Sequence, residues 1–99
     1  MRKQRITDKM LQSRIDYLNE LANTPKQTYI NGKAQIGNYH LYGAYGGVNV
    51  HKIVNEGGGV TTPICYGVTT KRELLEKLNS YIDGIEFTLR KWNIETLNR

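Results

Sequence analysis

The sequence predicts an α+β fold: a two-layer sandwich of order α-β-β-β(-β)-α, with a small antiparallel sheet and two helices on one of its faces. Three observations predict it. Apolar residues recur at helical spacing near both ends of the chain. The middle alternates apolar and polar residues, as half-buried strands do. Turn signals punctuate that middle, above all Asn31-Gly32 and the glycine-rich stretch from Gly37 to Gly59. Two one-sided helices and one sheet bury their apolar faces most simply as two layers. At 99 residues the chain is read as one domain, 1–99, with 1–6 expected as a flexible basic N-terminus.

The first helix is expected from Thr7 to Ala22. Thr7 and Asp8 suit its N-terminal cap, and Asp8 complements the helix dipole. Leu11, Ile15, Leu18 and Ala22 form its apolar stripe. Pro25 biases Thr24 away from helical backbone and ends it.

A strand over Gln27 to Ile30 follows, then the Asn31-Gly32 turn, whose residues tolerate the positive φ of a tight hairpin. The second strand starts at Lys33. Ala34 and Ile36 share one parity, and Tyr39 and Leu41 share the other, so a bulge is expected at Gly37-Asn38. Gly43 to Gly47 reads as a loop or bend. Val48 and Val50 open a further strand to about Val54, and Asn55 to Gly59 turn the chain again. Val60, Thr62, Ile64, Tyr66 and Val68 alternate as a last strand. Pro63 cannot donate a ladder hydrogen bond, so that strand belongs at an edge or is irregular.

The second helix opens on Thr70-Lys-Arg-Glu73, a capping-box pattern. Leu74, Leu78, Tyr81 or Ile82, Ile85, Leu89 and Trp92 follow at helical spacing, with the helix expected to about Lys91. Gly84 inside it costs roughly 1 kcal/mol against Ala.

Composition narrows the function classes. The single Cys65 excludes an internal disulfide framework. No stretch has the length of a membrane span, and no apolar signal region follows the basic first residues, so the cytoplasm is the expected compartment. Net charge is +5. That excess fits either a solvated surface or an anionic partner.

Catalytic raw material is scarce. His40 and His51 fall in different strands with no Cys, Asp or Glu at ligand spacing, so each is read as a structural histidine and no metal site is expected. Glu56 is the only carboxylate between Glu20 and Glu73, which leaves paired-carboxylate hydrolysis without material. The glycines fit neither the dinucleotide fingerprint nor the Walker pattern. No cofactor and no enzyme activity are expected.

A contact surface is the remaining candidate. Tyr39 is assigned to the core, Tyr42 outward and Tyr45 to an exposed bend. The expected contact residues are Tyr42, Gly43, Tyr45, Gly46, Gly47, His51, Asn55, Gly57, Gly58 and Gly59. Exposed tyrosine beside bare backbone suits a ring or a protein surface. Lys52, Lys71 and Arg72 are the candidate anion contacts, the last two at a helix N-terminus.

The strings YGAYGG, NEGGGV and KREL, with the opening SRIDYLNELANTPK, resemble a family of small proteins from tailed-bacteriophage genomes. The resemblance covers most of residues 11–86. It implies a phage or prophage origin, the bacterial host cytoplasm, and an accessory role against a host factor, including anti-defence or anti-CRISPR inhibition. It carries no catalytic residue. The element order is also similar to the double-stranded RNA-binding domain, with Lys71 and Arg72 starting the last helix. Glu73, Glu76 and the missing Gly-Pro-x-His loop depart from that domain. The expected partner is therefore a host protein or a nucleotide-like ligand, with nucleic acid as the alternative and a homo-oligomer through an open sheet face or edge.

Overall fold

The structure is a computed structural model that describes residues 4–97, with side chains to residue 93. Among these residues the order is α1 (Asp8–Leu21), β1 (Tyr29–Ile30), β2 (Lys33–Ala34), β3 (Tyr39–Ala44), β4 (Gly47–Ile53), β5 (Val60–Thr61) and α2 (Lys71–Leu97). The α+β fold is as the sequence predicts.

The Thr7 hydroxyl accepts from the Met10 N–H at 3.2 Å and caps α1. Leu11, Ile15 and Leu18 are fully buried. Burial of each contributes on the order of 2 kcal/mol. The stop is made before Pro25. Asn23 takes φ +57°, its N–H bonds the Glu20 carbonyl, and the Thr24 N–H bonds the Asn19 carbonyl at 2.9 Å. That pair of bonds is a Schellman closure with Asn in the left-handed position.

The strands form two sheets. β1 and β2 pair around Asn31-Gly32, at φ +51° and +76°. The expected strand from Lys33 through Leu41 is divided, because β2 and β3 belong to different sheets. The Asn38 N–H bonds the Gln35 carbonyl, closing a turn with Gly37 at φ +95°. The Ile53 carbonyl accepts from Gly37 while the Ile53 N–H donates to Asn38. Two residues thus oppose one, which is the expected bulge at Gly37-Asn38.

The second sheet has the order β3-β4-β5, all antiparallel. The expected last strand shrinks to Val60–Thr61, and residues 62–68 bow away before Thr69 rejoins β4 by a bridge to Val48. Pro63, with no N–H to give, lies at the start of the bow.

Both helices cover one face of this sheet. Leu11, Ile15, Leu18, Tyr39, Val48, Val50, Leu74, Leu78 and Ile82 make one core. The helices run in the same direction: Lys71 pairs with Asp8 at 3.0 Å, Arg14 bonds Asn79 at 2.8 Å and Tyr17 bonds Glu86 at 2.9 Å. The Thr70 hydroxyl accepts from the Glu73 N–H at 3.1 Å, and the Glu73 carboxylate accepts from the Thr69 hydroxyl. α2 continues beyond the expected Lys91. Of the expected flexible segment 1–6, residues 1–3 lie outside the described residues, the Gln4 carbonyl accepts from Arg72, and Ile6 packs against the core.

Candidate functional site

The sheet has a turn end and a far end, and the candidate residues divide between them. Ala44 pairs with Gly47, so Tyr45-Gly46 alone make the β3–β4 turn, at φ +53° and +76°. This corrects the expected five-residue bend: Gly43 and Gly47 are strand residues. Positive φ at both positions is the turn type that matches strand twist. Gly46 has open space around it, whereas a Cβ on Gly47 would meet Val68 at 2.9 Å and the Thr69 carbonyl at 3.1 Å. Gly47 is bare because its own chain crosses it.

Tyr45 is 98 % exposed and Tyr66 99 %. The sequence placed Tyr66 in a strand. It stands instead on the 62–68 bow, beside Gly67 at φ +69°. Asn49 holds that bow. Its amide donates to the Cys65 carbonyl at 3.2 Å and to the Gly67 carbonyl. Its oxygen accepts from the Val50 N–H at 2.7 Å. The side chain thereby stands in for the strand pairing that the bow gives up. Tyr45 is two residues from Gly47 and Tyr66 two from Val68, so the Gly47–Val68 contact puts both rings at the turn end.

His40, Tyr42 and His51 share the sheet face away from the helices. Tyr42 stacks on His51, with centroids 4.0 Å apart and planes 16° apart. His40 sits directly across from His51 in register, edge-on at 5.7 Å. Spacing along the sequence could not show this pairing; the register creates it. His40 Nδ1 lies 3.1 Å from the Asn38 oxygen, while the Asn38 amide donates to the Pro25 carbonyl at 2.8 Å. The Asn38 oxygen is therefore the acceptor, which puts the His40 proton on Nδ1 and leaves Nε2 as a free base. Burial lowers the pKa of both histidines, and His51 lowers that of His40 further. Both are neutral at pH 7.

Asn55, Gly57, Gly58 and Gly59 lie at the far end, where Ile53 pairs with Val60. The six steps of β4 from Gly47 to Ile53 put about 20 Å of strand between the two ends. The triple-glycine turn is filled from inside the chain. The Asn55 oxygen accepts from the Gly59 N–H at 2.9 Å, and a Cβ on Gly59 would collide with the Asn55 side chain.

The candidate anion contacts are not brought together either. Lys52 stands over the Tyr39 ring at 5.1 Å, on the helix-facing side. Lys71 is paired with Asp8, and Arg72 holds the Gln4 carbonyl. Cys65 is half-buried, and its thiol donates to the Asn49 oxygen at 3.2 Å. Burial raises its pKa, which keeps the thiol protonated. Among the described residues no three His, Cys, Asp or Glu side chains gather as a metal site, and no described helix is long and apolar enough to cross a membrane.

The sequence reading missed three buried asparagines, Asn19, Asn38 and Asn49. Each completes hydrogen bonds where sheet pairing stops. The available signal was amide side chains at apolar positions, such as Asn19 one turn after Ile15. Comparison with protein-family models, curated proteins and solved structures finds no match.

Proposed function

We propose that this protein is a non-catalytic binding module that contacts a host protein through the turn end of its sheet. That is the role implied by the phage-family resemblance, anti-defence inhibition included, with the bacterial cytoplasm as its place of action. The observation that carries the reading is Tyr45. The chain builds the same turn at Asn31-Gly32 with a residue that tolerates positive φ. At the second hairpin it uses a bulky aromatic in that conformation, at a cost on the order of 1–3 kcal/mol. The ring is 98 % exposed and returns nothing to the core. Its use is contact with another molecule.

Tyr66 supplies a second exposed ring at the same end, and Tyr42 on His51 continues the aromatic surface. Tyrosine gives large, stiff contact area at low entropic cost, and such rings dominate protein interfaces. Nucleic-acid and nucleotide readings draw less support, because Lys52 over Tyr39 is not grouped with the adjacent Lys71 and Arg72, which are engaged by Asp8 and the Gln4 carbonyl.

The test compares wild type with Tyr45→Asn and Tyr66→Ala, each immobilised against lysate of the bacterial host. A protein retained by wild type and lost from both variants, with unchanged circular dichroism, supports the reading. Binding of DNA or RNA that weakens steeply with salt and survives Tyr45→Asn replaces it with the nucleic-acid alternative.

A further inference from the structure

We propose that the free outer edge of β3 is a strand-addition site, where a short extended segment of the partner protein pairs antiparallel with Leu41 and Gly43. This rests on the turn-end reading above and names the kind of partner that end takes.

Register fixes which backbone groups face outward. Ala44 and Gly47 flank a two-residue turn, so they exchange both of their hydrogen bonds. Tyr42 with Asn49, and His40 with His51, do the same at alternate positions. The N–H and C=O of Tyr39, Leu41 and Gly43 therefore point away from β4. Asn19 agrees, because it bonds both outward groups of Tyr39.

The chain covers the opposite edge of the hairpin. Along the outer side of β4, Val48 exchanges both bonds with Thr69. The Val50 N–H donates to Asn49, Lys52 pairs with Thr61, and the Val54 N–H donates to the Gly59 carbonyl. On β3 the cover stops at Tyr39. Among the described residues nothing bonds the outward groups of Leu41 or Gly43. The strand carries no charged residue and no proline, which are the usual guards of an open edge. Gly43 is exposed, and a Cβ there would meet only the Gly47 carbonyl, at 3.8 Å. No helix overlies the edge at that point.

The occupant follows from the edge's own chemistry. Alternating donors and acceptors over about 7 Å of edge are matched group for group by an extended main chain. Leu41 and Gly43 lie on the helix-facing side, so the segment sets two side chains there and one between them beside the Tyr42 ring. Leu41 packs against the core, and Gly43 offers no side chain of its own. The matching sequence is apolar, any residue, apolar, with the bulkier apolar side chain over Gly43. Past Gly43 the segment reaches Tyr45. A second copy of this chain fits less well. Tyr39 is taken, so two copies can pair only with Leu41 opposite Gly43 of the other chain. That register carries each Tyr45 turn to the other chain's Tyr39, where Asn19 already fills the edge. A free segment has no turn to fit there.

Selection of random nonapeptides against the immobilised full chain tests this. The expected binders repeat the apolar-x-apolar pattern. Methylating the backbone nitrogen of either patterned residue weakens binding about tenfold, the loss of one hydrogen bond, and methylating the residue between them does not. In the free chain the Leu41 and Gly43 amide protons exchange fast and that of Tyr39 slowly; bound peptide slows the first two. Gly43→Pro removes an outward donor and no bond to β4, a place where an edge strand takes proline, so peptide binding is lost with circular dichroism unchanged. The exchange and methylation readouts use the wild-type chain and decide the matter if that variant unfolds. No selected peptide, or a bound peptide that leaves both amides unprotected, overturns the proposal. So does a chain that sediments as a dimer and becomes a monomer in Gly43→Pro, which assigns the edge to a second copy. Host-protein capture separates strand addition from the reading it rests on. Loss from Gly43→Pro and Tyr45→Asn alike supports both, and retention by both overturns both. Loss from Tyr45→Asn alone overturns strand addition and keeps the turn-end contact. Loss from Gly43→Pro alone supports strand addition and removes Tyr45 from the contact.

Discussion

The Asn19 side chain holds the backbone of Tyr39 at two points. Its amide donates to the Tyr39 carbonyl and its oxygen accepts from the Tyr39 N–H, both at 2.9 Å. This is how one strand of a ladder holds the next, performed here by a helix side chain. It ties α1 to the outer edge of β3, where no further strand pairs among the described residues. The Thr24 hydroxyl adds a bond to the same oxygen at 2.8 Å.

Asn19→Ala strands a buried donor and a buried acceptor on Tyr39, and each unsatisfied group costs about 1–3 kcal/mol. The expected loss is about 2–4 kcal/mol, a large share of the stability of a small domain. Urea denaturation of the two chains checks it. A loss within about 0.5 kcal/mol would mean that water or a shifted backbone replaces both bonds.

The helices, the Asn31-Gly32 hairpin and the bulge at Gly37-Asn38 were legible in the sequence, because local rules govern them: caps, stripes and positive-φ residues. The 62–68 bow was not. Its residues alternate as a strand should, but Pro63 and the Asn49 amide decide the outcome, and that amide acts at a distance of 16 to 18 residues. The site was half legible. Tyr42 and Tyr45 face outward as expected. Tyr66 was misread with its segment, and the His40–His51 pairing exists only through cross-strand register. The bare backbone at Gly47 and Gly59 suggested an outside ligand, yet its neighbours are Val68, Thr69 and Asn55 of the same chain.

Two adjacent glycines should therefore respond differently to alanine. At Gly47 the new methyl meets the Val68 Cβ at 2.9 Å and the Thr69 carbonyl at 3.1 Å. The crossing chain must move, and the bridge between Val48 and Thr69 weakens with it. A loss of about 1–3 kcal/mol is expected for such overpacking. At Gly46 no atom obstructs the methyl, and the cost is confined to positive φ, about 1 kcal/mol. Thermal melts of Gly47→Ala and Gly46→Ala give the order. Equal losses would show that strain, and not the crossing, keeps Gly47 a glycine.

The histidine pair makes stability fall on the acid side of neutrality. Burial lowers both pKa values, and each proton added to one ring opposes the next. Below the ordinary value near 6.5 the unfolded chain binds protons that the folded chain resists. Stability is thus complete above that value and is lost as pH falls through the lower folded values. Melting temperature is expected to drop between about pH 7.5 and pH 5, and the drop to shrink in His51→Gln. An undiminished drop in that variant would assign the acid sensitivity to other groups.

Tyr45→Asn tests the link between strain and use. Asparagine tolerates the left-handed conformation that Tyr45 occupies, and Asn31-Gly32 shows the same pair in the same turn. The substitution removes a ring that is almost wholly in solvent, so no packing is lost. Stability is expected to rise by about 1 kcal/mol, the left-handed cost that a bulky residue carries. Partner capture is expected to fall at the same time, since the ring is the proposed contact. Gain of stability with loss of binding is the signature of a strained residue kept for function. Denaturant midpoints and capture measured on the same preparation read both. If the midpoint rises while capture is untouched, Tyr45 is not the contact. If the midpoint falls, the turn holds tyrosine without strain, and the argument from its conformation to its function fails.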